Sequence, residues 1–106
     1  MSNNLMKQVQ KMQQKMQSDF AAAERELAQS TVEGSAGNGA VKVVATGSQE
    51  VKSIKISAEA VDPEDIGMLE DLVLVAVNDA LDKSRELSSN RMGKIAAGLN
   101  LPPGLF

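Results

Sequence analysis

The segment MLEDLVLVAVNDAL, residues 68–81, decides how the chain folds. Its centre, LVLVAV at 72–77, is rich in β-branched and other large apolar residues and looks like a strand by propensity. Its surroundings point to a helix. The run sits inside about 25 residues free of proline, and Ile66, Leu69, Val73, Ala76, Ala80 and Leu87 recur at helical spacing. A helix over about 63–90 is therefore expected. It opens at DPED, where Asp62 can cap, Pro63 suits the first helical position, and Glu64 and Asp65 sit at the positive end of the helix dipole. Gly93 and Gly98 loosen the chain beyond it and the Pro102–Pro103 pair cannot continue a helix, so residues 93–106 are read as an extended apolar tail.

Upstream of this helix the pattern changes. VKVV and VKSIKI are rich in Val and Ile with partial alternation, and GNG at 37–39 and TGSQ at 46–49 are turn signals. Three short antiparallel strands follow, about 31–36, 40–46 and 50–57, joined by hairpin turns. Further upstream Leu5, Val9, Met12, Met16, Phe20, Ala23 and Leu27 fall on one helical face, which predicts a helix over about 3–29. The stripe returns every 11 residues, at Leu5, Met16 and Leu27. That period, about 3.67 residues per turn, keeps it nearly straight and does not ask for a left-handed supercoil. The fold class is α+β, with the order α-β-β-β-α in a single domain over residues 1–106.

Composition narrows the chemistry. The chain has 106 residues, enough for one core and too few for two. It contains no cysteine and no histidine, which removes disulfides, thiolate chemistry, the commonest general base and the commonest metal ligands. The acids between Glu59 and Asp82 are explained by helix capping and a solvated face, and they form no oxygen-rich calcium loop. No enzyme activity, metal or cofactor is expected. The longest apolar run is far short of the ~20 residues that a membrane-spanning helix needs. The amino-terminal MSNNLMK has no secretory pattern, so a cytoplasmic location is expected.

Two surfaces lack a partner within one chain. The first helix is about 40 Å long, whereas a strand of this size reaches only about 20–24 Å, so part of its stripe overhangs the sheet. In the second helix Leu72, Leu74 and Val75 are read as facing away from the sheet. A homodimer that buries these residues together with Met12 and Met16 would cover both surfaces; a docked carboxyl-terminal tail is the alternative.

The remaining signal is charge. Residues 4–17, NLMKQVQKMQQKMQ, carry Lys7, Lys11 and Lys15 and no acid, in a chain of net charge −3. On a helical wheel these lysines lie opposite the apolar stripe and spread over about 12 Å of axis, a cationic rail suited to a polyanion. Three surface lysines also satisfy a purely solubilising role, and spacing alone leaves both readings open. A second basic group, Lys83, Arg85, Arg91 and Lys94, is opposed only by Glu86. With two phenylalanines and no tyrosine or tryptophan there is no stacking platform for single strands, so a duplex is the better target.

Taken together, NLMKQVQKMQQKMQ, VKVVATGSQEVKSIKI, MLEDLVLVAVNDAL and the closing LPPG resemble the YbaB/EbfC family of small bacterial nucleoid-associated proteins, in order and spacing over nearly the whole chain. The resemblance implies a tweezer-like homodimer that binds double-stranded DNA and acts in nucleoid organisation or gene regulation. It places the DNA-contacting surface on the first helix and the later part of the second. Lys7, Lys11 and Lys15 are then the principal phosphate contacts, and Arg25, Arg85, Arg91 and Lys94 are weaker ones. The competing reading is a dimeric adaptor for DNA replication or repair machinery that does not touch DNA itself. A membrane-surface helix fits less well, because the apolar stripe already has a sheet to cover and the lysine face lacks flanking aromatics.

Overall fold

A computed structural model describes residues 2–98. Helix α1 spans Ser2–Gln29, strands β1, β2 and β3 span Thr31–Ala36, Val41–Thr46 and Val51–Ile56, a short 3-10 turn covers Ala58–Ala60, and helix α2 spans Ile66–Gly98. The element order is the α-β-β-β-α predicted from spacing. LVLVAV is helical, because its apolar residues serve two faces of a long helix rather than the alternating faces of a strand.

The sheet is antiparallel with strand order β1-β2-β3. Gly37, Asn38 and Gly39 all take positive φ in the β1–β2 turn, which explains its glycine content. In the second pairing Val44 faces Ser53 while Ala45 faces Val51, so Lys52 is the extra residue of a bulge.

Helix α2 packs on one face of the sheet, over β1 and β2, and barely reaches β3. The core is Val41, Val43 and Ala45 of β2 against Ala76 and Ala80 of α2, flanked by Val32, Ala36, Leu69, Leu72, Val73 and Val77. Backbone meets backbone at Gly34. A Cβ there would lie 2.5 Å from the Ala76 carbonyl oxygen and 2.7 Å from Ala80 Cα.

Two polar contacts fix the placement of α2. The Ser84 hydroxyl, fully buried, donates to the Thr46 carbonyl at 2.6 Å and accepts from the Gln49 N–H at 3.0 Å. It thereby pins the β2–β3 turn, where Gln49 itself has positive φ. At the opposite edge of the sheet the Ser35 N–H donates to Asp79 at 3.0 Å, and Lys83 donates to the Glu33 carbonyl at 3.0 Å and to Asp79 at 3.2 Å. The outer edge of β1 is sealed in this way. Among the described residues no side chain seals the outer edge of β3.

Several expectations need correction. Helix α2 begins at Ile66 rather than 63: the Asp62 carboxylate accepts from the Glu64 N–H at 3.0 Å and closes a turn, and Asp65 caps instead, accepting from the Met68 N–H at 3.2 Å. The helix also does not stop at 90. It runs through Gly93 to Gly98, where an extended tail was expected, with Arg91, Met92, Ile95 and Ala96 half-buried. Packing beside α1 outweighs the glycine penalty of about 1 kcal/mol. The rest of the expected tail, 99–106, lies outside the described residues. Strands β2 and β3 begin one residue later than expected, at Val41 and Val51, and β3 ends at Ile56. The Ala40 N–H is occupied by the turn bond to the Gly37 carbonyl. Leu72 does not face away from the sheet: it is half-buried against the core beside Gly37, on the face shared by Leu69 and Ala76. Leu74 and Val75 do face away, at 59% and 56% exposure.

Two outcomes test this packing. Gly34→Ala drives a Cβ into helix backbone that cannot yield, and we expect a loss of ~3 kcal/mol in a denaturant titration, the upper end for overpacking. Asp79 is held below the ordinary carboxylate range, first by the Ser35 N–H and then by Lys83. A depressed folded-state pKa contributes stability above the ordinary carboxylate pKa and loses it as pH falls through the folded value. Asp79→Asn, which mimics the protonated acid, should lower Tm at neutral pH, and the gap to the parent should close on acidification.

Candidate nucleic-acid interface

Helix α1 is anchored at one end only. Ala23 and Leu27 are buried, and Met16 and Phe20 are half-buried. The Gly47 N–H donates to the Leu27 carbonyl at 2.9 Å and to the Ser30 carbonyl at 3.1 Å. Only glycine allows that approach, since a Cβ at 47 would stand 2.8 Å from Leu27 Cδ2. An ion pair between Glu26 and Arg91 ties the two helices together above the turn. Toward its amino terminus α1 leaves the body: Leu5, Val9 and Met12 of the apolar stripe are exposed, Leu5 at 65%. The molecule measures 76 × 25 × 16 Å, longer than the about 50 Å that the 33 residues of α2 span.

Lys7, Lys11 and Lys15 all lie on the arm and are exposed. By helical rise they stand about 18–30 Å along the axis from Leu27, where the helix meets the sheet. Among the described residues Lys7 and Lys11 have no carboxylate partner. Lys15 lies 3.5 Å from Asp19, one turn away. Exposed pairs of this kind are worth about 0.3–0.5 kcal/mol, so Asp19 holds Lys15 only weakly.

The second basic group does not stay together. Lys83 is committed to Asp79 and the Glu33 carbonyl, Arg85 pairs with Asp82 at 2.6 Å, and Arg91 pairs with Glu26. Lys94 on α2 and Arg25 on α1 are exposed and unpaired among the described residues. The sequence reading assigned no role to a further group, Lys42, Lys52 and Lys55, all exposed on β2 and β3. The signal for Lys42 and Lys55 was present in the alternation of VKV and IKI, which puts both on the face opposite the buried valines, whereas Lys52 sits at the bulge.

Among the described residues no three acidic side chains converge as a metal site, and no helix is long and apolar enough to cross a membrane. An open hollow of about 310 Å³ at the base of the arm is lined by Glu24, Leu27, Gly47, Ser48, Gln49, Ser88 and Met92. With one ionisable group it offers no acid–base pair.

Comparison with known proteins finds relatives over most of the chain. The chain is 54% identical over 107 residues to a nucleoid-associated protein of Syntrophobacter fumaroxidans, covering 97% of this chain and 94% of that one. It is 56% identical over 88 residues to a nucleoid-associated protein of Bacillus cereus, covering 83% and 81%. The fold is shared with the crystal structure of an uncharacterised protein from Helicobacter pylori, with a TM-score of 0.75 at 20% identity, over 85% of this chain and 95% of that one. Residues 1–99 match the YbaB/EbfC DNA-binding family, and the chain belongs to that family.

Proposed function

We propose that this protein binds double-stranded DNA as a homodimer, chiefly through phosphate contacts, and acts in nucleoid organisation or gene regulation within the cytoplasmic nucleoid, with no catalytic step. One observation carries the reading: three exposed lysines in a row on an arm that stands clear of the acidic body. Lys7, Lys11 and Lys15 make the principal contacts. Lys94 and Arg25 add to them, and Arg85 and Arg91 do so only after leaving Asp82 and Glu26. The names of the relatives point the same way.

Pairing of two copies is supported by what one chain leaves uncovered. Val51, Ile54 and Ile56 share the helix-side face of the sheet with Val41, Val43 and Ala45, yet are 37–45% exposed because α2 stops short of β3. Val61, Ile66, Met68, Leu74 and Val75 extend the exposed apolar surface. A twofold partner that covers β3 with its own α2 surface buries these residues. Leu74 and Val75 belong to that seam. Leu72 adds only its exposed fraction, and Met12 and Met16 join where the arms approach. The competing adaptor reading draws on the exposed Leu5, Met6, Val9 and Met12 of the arm, an apolar edge able to grip a protein of the replication or repair machinery.

If six arm lysines of a dimer engage phosphates, log affinity for random-sequence duplex should fall with log salt at a slope of about −5. Each lysine replaced should flatten that slope by roughly two, with different sequences weakened alike. Gel-shift titrations at several salt concentrations measure this; an unchanged salt slope in the Lys7→Glu, Lys11→Glu and Lys15→Glu triple variant would overturn the arm contacts, and no shift with the parent protein would favour the adaptor. For the seam, sedimentation of a concentration series should show a dimer at micromolar protein. Ile54→Glu with Leu74→Glu should shift it to monomer while the circular dichroism spectrum is retained.

A further inference from the structure

Among the described residues no element covers the face of the sheet turned away from α2. Because Val41, Val43 and Ala45 point into the core at 0% exposure, the alternation of β2 sends Lys42 to the opposite side, and the register sets Lys55 directly across from it. Like charges placed directly opposite on neighbouring strands destabilise a sheet. Neither lysine is relieved by a carboxylate among the described residues, although Lys15, Lys83, Arg85 and Arg91 all have one. Glu33 lies on the same face without pairing to them. Ser35 and Ser53, small and hydroxyl-bearing, flank the two lysines in the register.

We infer that this bare face, centred on the opposed Lys42–Lys55 pair, is a second phosphate-backbone site that holds a duplex segment other than the one on the arms. An anion lying across the two ammonium groups removes their repulsion, and the uncovered face leaves room for a long polyanion. The distance along α1 separates the two sites, since the arm lysines begin about 18 Å from the point where α1 meets the sheet. One molecule thereby links two stretches of duplex. The inference rests on the reading of this chain as a duplex binder, and the test separates the two.

Duplex immobilised on beads is incubated with protein and then with a labelled free duplex, and capture of the label is compared with a simple gel shift on one short duplex. Lys42→Gln with Lys55→Gln should reduce capture by about tenfold or more at moderate salt, as the loss of four phosphate contacts per dimer requires, and leave the simple shift within about twofold. Because the change removes facing like charges, Tm should hold or rise, so lost capture does not reflect unfolding. Capture equal to the parent overturns the inference, and so does a simple shift weakened in the same proportion as capture. Failure of the duplex-binding reading shows elsewhere: the parent protein would then give no simple shift at any salt concentration.

Discussion

The contact between the α2 backbone and Gly34 of β1 is the constraint on which the rest of the structure depends. Ala76 and Ala80 bring helix and strand so close that no side chain fits between them. This draws α2 toward the β1 side of the sheet, where Asp79 and Lys83 reach over the strand edge and occupy its free backbone groups. The same displacement leaves β3 uncovered. An asymmetric sheet results, with one edge closed by side chains of its own helix and the other open and apolar on the helix side.

That asymmetry links the core to the work of the molecule. A helix centred on the sheet would cover β3 and leave a self-sufficient monomer. Placed off-centre, it leaves Val51, Ile54 and Ile56 exposed, the apolar surface on which the proposed pairing rests. The arm depends on the same packing. The turn at 46–50 is bonded to Ser84 of α2 on one side and through Gly47 to the end of α1 on the other, so the position of α2 sets where the arm leaves the body. A rigid helix then carries the lysines outward without further contacts of its own.

Charge is distributed along the same lines. A net charge of −3 gives no hint of a polyanion partner. Many of the acids have local duties: Asp65 caps α2, Asp62 closes the preceding turn, Asp79 seals an edge, and Glu26 and Asp82 pair with arginines. Screening over about 8–10 Å means that a ligand on the arm responds to Lys7, Lys11 and Lys15 and hardly to the acidic body. Local density rather than the total decides what the surface attracts.

Much of this was written in local sequence. The apolar spacing from Leu5 to Leu27 marks α1, alternation with GNG and TGSQ marks the strands, and periodicity across LVLVAV marks α2, because each depends on the chain's own repeat. The arm lysines were legible for the same reason: four-residue spacing puts them on one face of any helix. Helix ends were less so. Asp62 and Asp65 are both plausible caps, and the helix continues past Gly93 beside a tie between Arg91 and Glu26 of α1, a contact between residues far apart in the chain. The position of Leu72, the pairing of Arg85 and Arg91 with acids, the open edge of β3 and the facing lysines on the sheet were decided by tertiary structure alone. All of them depend on which face meets which neighbour and in what register, and that is settled only when Gly34 and the two alanines of α2 come together.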